Sequence, residues 1–86
     1  MGRTIFKNPT DFTAGFLIDK AGCKGFSIGQ VEVSNVHANF FVNHGGGVAR
    51  EVLALIGQVR KRVEEETGIK LEIEPRILGE QGIEDF

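Results

Sequence analysis

The sequence contains no tryptophan or tyrosine, one cysteine and two prolines among its 86 residues. A single cysteine, Cys23, cannot form an internal disulfide, which fits a reducing compartment. No apolar run approaches the ~20 residues that cross a bilayer, and the N-terminus lacks a charged-then-apolar export segment. We therefore expect a soluble cytoplasmic protein with no membrane partner, whose core is built from Phe, Leu, Ile and Val.

The chain also lacks a strong excess of positive or negative charge. Ten basic residues face twelve acidic ones, so the net charge is −2. Nucleic-acid binding is not expected, because it normally needs a basic surface. The few Cys and His residues lack metal-ligand spacing, so we predict no metal site. An anionic small molecule stays possible, since a local cluster can differ in sign from the whole chain.

At 86 residues the whole chain is expected to form a single domain. Its first half predicts a short helix over residues 11–21. Thr10 or Asp11 can cap its start, and Gly22 can end it in the left-handed conformation. Helical spacing predicts that its inner face carries Phe12, Phe16, Leu17 and Ala21.

A longer amphipathic helix is predicted from Val48 to about residue 67, with Gly68 closing it. Alternating or continuous apolar residues predict four strands, at Thr4–Lys7, around Val31 and Val33, at Phe40–Val42, and at Lys70–Ile77. Pro75 lacks a backbone donor and should lie at a sheet edge or a bulge. The order β-α-β-β-α-β indicates an α+β domain, with two helices on one side of a sheet of about four strands.

Three polar groups are candidates for binding or catalysis. In chain order they are Thr4 with Lys7 and Asn8, His37 with Asn39, and Glu74 with Arg76. A carboxylate and a guanidinium on the same face of a strand can bind a carboxylate-bearing substrate and steer its protonation. Spacing alone favours the simpler interpretation of Glu74 and Arg76, a surface ion pair contributing ~0–1 kcal/mol.

The segment from His44 to Gly47 is a run of three glycines after a histidine. It is similar to the glycine-rich oxyanion loop of some esterases, but the chain has no Gly-x-Ser-x-Gly elbow. A flexible entry to the long helix is the simpler interpretation. Backbone N–H groups at that helix start could still hold a phosphate.

Several motifs in sequence order resemble the UDP-N-acetylenolpyruvoylglucosamine reductases, in their C-terminal substrate-binding domain. Residues 4–9, Thr-Ile-Phe-Lys-Asn-Pro, resemble the family's [Ser/Cys]-x-Phe-Lys-Asn-Pro motif, and residues 68–80 resemble its Leu-Glu-x-Glu-Val-Arg-x-x-Gly ending. Between them lie Ala-Gly-Phe-Leu-Ile at 14–18, Ala-Gly-Cys-Lys-Gly at 21–25, Val-Ser-Asn-Val-His-Ala-Asn-Phe at 33–40, and Val-Asn at 42–43. The resemblance covers nearly all of residues 4–80.

The resemblance implies an oxidoreductase of peptidoglycan synthesis. In such enzymes NADPH reduces a bound FAD, which passes a hydride to UDP-N-acetylglucosamine-enolpyruvate and gives UDP-N-acetylmuramate. Family members hold FAD in N-terminal domains of well over a hundred residues. We therefore expect this chain to be too short for the whole enzyme, to bind the UDP-sugar, and to be inactive without an FAD-binding partner domain.

The resemblance also implies roles for individual residues. Thr4 would deliver a proton to the carbon next to the substrate carboxylate, and Glu74 with Arg76 would stabilise the enolate-like intermediate. Lys7, Asn8 and His37 would contact the substrate.

Three positions depart from the family pattern: Thr4 replaces the usual Ser or Cys, Pro75 a Val, and Val48 a Thr. The methyl group of Thr4 restricts its rotamer at the proton-donor position. This favours an alternative function, a non-catalytic binding or interaction module that keeps only the fold. Such a module would expose apolar surface and could self-associate.

Overall fold

In a computed structural model, which describes residues 2–75, 78–79 and 82–83, the chain folds into two helices and short antiparallel strands. The helices are α1 (Ala14–Lys20) and α2 (Ala49–Thr67). The strands are β1 (Gly2–Thr4), β2 (Phe6–Lys7), β3 (Ser27–Ile28), β4 (Val31–Val33), β5 (Phe40–Asn43), β6 (Glu72–Ile73), β7 (Leu78–Gly79) and β8 (Gly82–Ile83).

The main sheet has four strands in the order β1-β5-β4-β3, all antiparallel. Strands β2 and β6 form a separate antiparallel pair, and so do β7 and β8. Helix α2 packs against β3 and β4, and α1 packs against α2. The predicted α+β class with two helices and a sheet of about four strands is confirmed.

Helix α2 follows the apolar spacing of its sequence. Its buried residues are Val52, Leu55, Ile56, Val59 and Val63, which form one stripe along the helix. Gly68 ends the helix at φ 77°, a left-handed conformation in which a side chain would be strained. The predicted bounds and glycine cap are therefore confirmed, although Val48 itself stays exposed as the N-cap residue.

Helix α1 starts three residues later than predicted. The Thr13 hydroxyl oxygen accepts from the Phe16 amide at 3.1 Å, so Thr13 is the N-cap rather than Thr10 or Asp11. The predicted inner face was therefore wrong at two of its four positions, because Phe12 precedes the helix and Phe16 points to solvent. The residues that are buried in α1 and its C-cap are Ala14, Leu17, Ile18 and Ala21.

The predicted first strand is divided at Ile5. Thr4 pairs with Phe40 in the main sheet, whereas Phe6 pairs with Ile73 in the second sheet. At the break, the Asn39 side chain pairs with the backbone of Phe6: its Oδ1 accepts from Phe6 N at 2.9 Å, and its Nδ2 donates to Phe6 O at 2.7 Å. The amide thus takes the place of a neighbouring strand at the point where the chain changes sheets.

The predicted last strand is shorter than residues 70–77. Strand β6 covers only Glu72–Ile73, and Glu74 adds one further bond from its amide to Ile5 O at 2.8 Å. Pro75 follows directly and cannot donate to the ladder, so pairing with β2 stops there. Arg76 and Ile77 lie outside the described residues.

The core lies between α2, α1 and the inner face of the main sheet. Phe6 and Phe41 meet at its centre edge to face, with ring centroids 6.1 Å apart. Cys23 is buried there, as expected for a packing role, and burial raises the pKa of its thiol. The buried set is Ile5, Phe6, Ala14, Leu17, Ile18, Ala21, Cys23, Val31, Val33, Ala38, Phe41, Val52, Leu55, Ile56, Val59, Val63 and Leu71.

Replacing Asn39 by Ala should destabilise the domain. It leaves the backbone N–H and C=O of the buried Phe6 without these partners, which costs about 1–3 kcal/mol per unsatisfied group. The free energy of unfolding from urea denaturation measures the loss. Asn35→Ala, an exposed asparagine nearby in sequence, is the matched control and should change it by less than about 0.5 kcal/mol. Equal effects of the two substitutions would contradict this role of Asn39.

The ion pair between Lys7 and Glu72 should make the acid titration of Glu72 depend on Lys7. The two residues are cross-strand partners in β2 and β6, and their charged atoms are 2.8 Å apart. A hydrogen bond and the charge of Lys7 lower the pKa of Glu72, and the same contacts raise the pKa of Lys7. The stabilisation is therefore present between the two ordinary pKa values, and is lost as pH falls through the lowered pKa of Glu72.

NMR titration of the Glu72 carboxyl measures this effect. In the Lys7→Met variant the midpoint should rise towards the ordinary glutamate value. Lys70→Met, which removes a cation 3.8 Å from Glu64, is the matched control and should leave the Glu72 midpoint unchanged. An identical Glu72 midpoint with and without Lys7 would show that the pair does not form in solution.

Candidate functional site

A broad cleft lies between the β1–β2 segment, the loop before β5, and the start of α1. Its volume is about 810 Å³, within the ~300–1,000 Å³ typical of ligand pockets. Five of the six site residues predicted from the sequence line it: Thr4, Lys7, Asn8, His37 and Glu74. The sixth, Arg76, lies outside the described residues.

Backbone pairing brings Thr4 and Glu74, which are seventy positions apart in sequence, to the same cleft. Thr4 is the last residue of β1 and lies opposite Phe40, which also borders the cleft. Glu74 is fixed beside it by the bond from its amide to Ile5 O. Thr4 is exposed and Glu74 half-buried, so both side chains are accessible from the cleft.

Lys7 lies on the border between this cleft and a smaller groove beside β6. Its ammonium binds Glu72, and the carboxylate of Glu74 also contributes to raising the pKa of Lys7. Lys7 is therefore charged, half-exposed and paired with Glu72, and the charge of Glu74 also acts on it. A ligand phosphate would have to compete with Glu72 for this ammonium.

Asn8 has a structural role that the sequence did not indicate. Its Oδ1 accepts from the Ala14 amide at 2.9 Å, which ties the β2 turn to the first turn of α1. Asn8 also borders the cleft, and its Nδ2 group is a hydrogen-bond donor that this contact does not use.

His37 lies in a tight turn that leads into β5. The Ser34 hydroxyl oxygen accepts from the amides of Val36 and His37 at 3.0 and 3.1 Å, and Phe40 N donates to His37 O at 2.9 Å. These bonds fix the backbone while the imidazole stays exposed at the cleft. The neighbouring Val36 also borders the cleft, with 72% of its surface exposed.

Sequence reasoning missed the side of the cleft that α1 supplies. The residues concerned are Thr13, Phe16 and Asp19, together with Lys24 in the loop after the helix. Phe16 was assigned to the core, because the helix was predicted to start at residue 11. The spacing of the small and aliphatic residues 14, 17, 18 and 21 was the signal that would have turned Phe16 outward.

Several backbone amides of the glycine run and of the start of α2 already have acceptors within the chain. The Glu51 carboxylate accepts from Val48 N at 3.3 Å and from Gln30 N at 3.4 Å, so the helix start already has its own anion. The Asn43 oxygen accepts from the amides of Gly45 and Gly47 at 2.9 and 3.1 Å. These internal partners disfavour the binding of a phosphate by the same N–H groups.

The side chains that line the cleft are of types that can bind an anionic ligand and transfer a proton to it. It combines a hydroxyl, an ammonium, an imidazole and a carboxylate on a half-exposed surface. Among the described residues, no three His, Cys, Asp or Glu side chains come together as a metal site would require. Neither described helix is long and apolar enough to cross a membrane.

Comparison with known proteins agrees with the resemblance. The family model for the UDP-N-acetylenolpyruvoylglucosamine reductase C-terminal domain matches residues 3–78. Reductases of that name from Rubrobacter xylanophilus and Heliobacterium modesticaldum are 52% and 51% identical to the chain, over 92% of its length and 26% of theirs. The crystal structure of UDP-N-acetylenolpyruvylglucosamine reductase from Thermus caldophilus is 44% identical and covers 83% of this chain, with a TM-score of 0.65.

The chain matches only part of each of these relatives. The chain spans about a quarter of the length of these relatives, 26% for the two reductases and 25% for the solved structure. The residues matched by the family model, 3–78, include every described residue that lines the candidate cleft, from Thr4 to Glu74 in sequence. The chain therefore belongs to the UDP-N-acetylenolpyruvoylglucosamine reductase family, in the part that corresponds to the family's C-terminal domain.

Proposed function

We propose that this chain is the substrate-binding part of a reductase of peptidoglycan synthesis that converts UDP-N-acetylglucosamine-enolpyruvate to UDP-N-acetylmuramate. The observation that supports the proposal is the convergence of Thr4 and Glu74 on one cleft, although they come from opposite ends of the sequence. Family membership supports the same reaction, because the relatives carry the name of that reductase.

The cleft of the described residues does not fit FAD. A cofactor pocket normally encloses most of its ligand, whereas this cleft is open to solvent and mixes apolar side chains with hydroxyl, amide and charged groups. We therefore assign FAD, with NADPH as its reductant, to the three quarters of such a reductase that this chain does not cover. Bound there, the flavin supplies the hydride that reduces the enol ether.

In this proposal Thr4 and Glu74 complete the reduction. Hydride addition leaves negative charge spread over the substrate carboxylate and its neighbouring carbon. The Thr4 hydroxyl donates the proton to that carbon. Glu74, in its protonated form as a hydrogen-bond donor, stabilises together with Arg76 the charge that develops on the carboxylate. Groups aimed at charge that exists only during the reaction lower the barrier most.

Lys7, Asn8 and His37 bind the anionic remainder of the substrate. The ammonium of Lys7 is charged, and the Nδ2 group of Asn8 and the imidazole of His37 are hydrogen-bonding groups on the same cleft. These three are substrate contacts rather than proton donors. Their removal should weaken substrate binding more than turnover.

Replacing Thr4 by Val should remove proton delivery while preserving shape. A chimeric reductase, in which this chain replaces the matching quarter of the Rubrobacter xylanophilus relative, provides the remaining domains. Turnover should fall by about a hundredfold or more, the usual contribution of a general acid. Rapid kinetics should locate the loss in the half-reaction with the UDP-sugar, and the half-reaction with NADPH should keep its rate.

Thr4→Ser is the matched control, since it keeps a hydroxyl, and should retain turnover within a few fold. A Thr4→Val chimera as fast as the Thr4→Ser chimera would exclude Thr4 as the donor. If every chimera binds FAD and reacts with NADPH but none reduces the UDP-sugar, the non-catalytic module becomes the better description of this chain.

Replacing Glu74 by Gln in the same chimera should also slow the half-reaction with the UDP-sugar. The variant keeps the size of the side chain and loses its acid group, and loss of one transition-state stabiliser costs about a hundredfold or more. Glu65→Gln, an exposed glutamate of α2, should leave the rate unchanged. Full turnover in Glu74→Gln would remove Glu74 from the mechanism.

A further inference from the structure

Two phenylalanine side chains are exposed side by side at the start of α1. Phe12 and Phe16 have 47% and 52% of their surface exposed, and their rings are nearly parallel, with centroids 5.9 Å apart and an interplanar angle of 11°. Single exposed apolar residues are normal on a protein surface. A stacked aromatic pair that remains half open to solvent needs another explanation, because burial of such rings would stabilise the fold.

The pair lies at the edge of the candidate cleft. Phe16 borders the cleft together with Lys7 and Lys24, and Phe12 lies outside it and stacks on Phe16. Phe12 thereby packs against the Phe16 ring at the border of the cleft. The other exposed large apolar side chains of α2 and its N-cap, Leu53 and Val48, do not border the cleft and have no aromatic partner.

The cationic and hydrogen-bonding groups in the cleft fit the phosphates of a ligand whose planar ring lies on Phe16. Lys7, Lys24 and His37 supply cationic or hydrogen-bonding groups, and the carboxylates of Asp19 and Glu74 also face it. Lys24 is 3.5 Å from Asp19, so its ammonium, like that of Lys7, is already paired but stays accessible. A diphosphate can exchange with such exposed pairs, since each contributes little to stability.

We propose that Phe16, supported by Phe12, is a stacking platform for the pyrimidine base of a uridine diphosphate sugar. The inference rests on the proposed function and adds a specific contact to it. Aromatic side chains bind bases through their ring faces, and such stacking tolerates any base. The volume of about 810 Å³ accommodates a nucleotide and its sugar in one cleft.

Titration of the 86-residue chain with uridine 5′-diphosphate, followed by NMR, tests the platform. Binding should shift the ring resonances of Phe16 and Phe12 upfield. Phe16→Ala should weaken the affinity by about tenfold, in line with the loss of one base–aromatic contact. Phe16 is exposed, so this variant should fold normally, which the NMR spectrum of the core checks directly.

Two controls separate stacking from general effects. Leu53→Ala removes an exposed side chain of similar accessibility on α2 and should leave the affinity unchanged. Inorganic pyrophosphate has no base, so its affinity should be the same for the Phe16→Ala variant and the original chain. A pyrophosphate affinity that falls equally would show that Phe16 acts on the phosphate site, which would overturn the stacking role.

The remaining outcomes are distinct. If uridine 5′-diphosphate shifts the amides near Lys7 and His37 but leaves the Phe16 ring and the affinity of Phe16→Ala unchanged, the platform is wrong and the proposed function stands. If neither uridine 5′-diphosphate nor the UDP-sugar binds, both fail. If the Phe12 and Phe16 resonances depend on protein concentration and not on ligand, the pair is a contact between two copies of the chain, which also overturns the platform.

Discussion

The pairing between the Asn39 side chain and the Phe6 backbone determines how the whole site is arranged. Without a partner at this point, the first strand could not leave the main sheet after Thr4 and join β6 at Phe6. That change of sheet puts Ile5 O within reach of the Glu74 amide. Thr4 and Glu74 therefore face one cleft because an asparagine from the middle of the chain fills a gap between two strands.

The helical part of the fold was predictable, because its signals are local. The apolar stripe of α2 and the glycine at position 68 determine the bounds of that helix by themselves. The start of α1 was predicted three residues early, since Thr10, Asp11 and Thr13 are all acceptable caps. Thr13 is the cap because its hydroxyl oxygen accepts from the Phe16 amide, and Asn8 fixes the same turn, since its Oδ1 accepts from the Ala14 amide. Such a contact is not visible in the spacing of the helix.

The motifs of the resemblance predicted roles for the residues of the site, whereas residue type and spacing alone did not. By spacing, Glu74 and Arg76 favoured a surface ion pair. Thr4, Lys7, Asn8 and His37 were candidates as polar residues, and only the resemblance gave them roles. Their convergence depends on long-range pairing that no local pattern encodes. The contribution of α1 was missed for a related reason. Phe16 was assigned to the core, whereas α1 buries Ala14, Leu17 and Ile18 and leaves the Phe12–Phe16 pair exposed.

Amide hydrogen exchange tests the role of Asn39 most directly, because protection reports the stability of individual backbone bonds. The account predicts that the amides of Phe6 and Glu74 exchange slowly in the original chain. It also predicts that both become fast in Asn39→Ala, at a denaturant concentration where the amides of α2 stay protected. Unchanged protection of Glu74 in that variant would contradict the account, since the two strands would then meet without the asparagine.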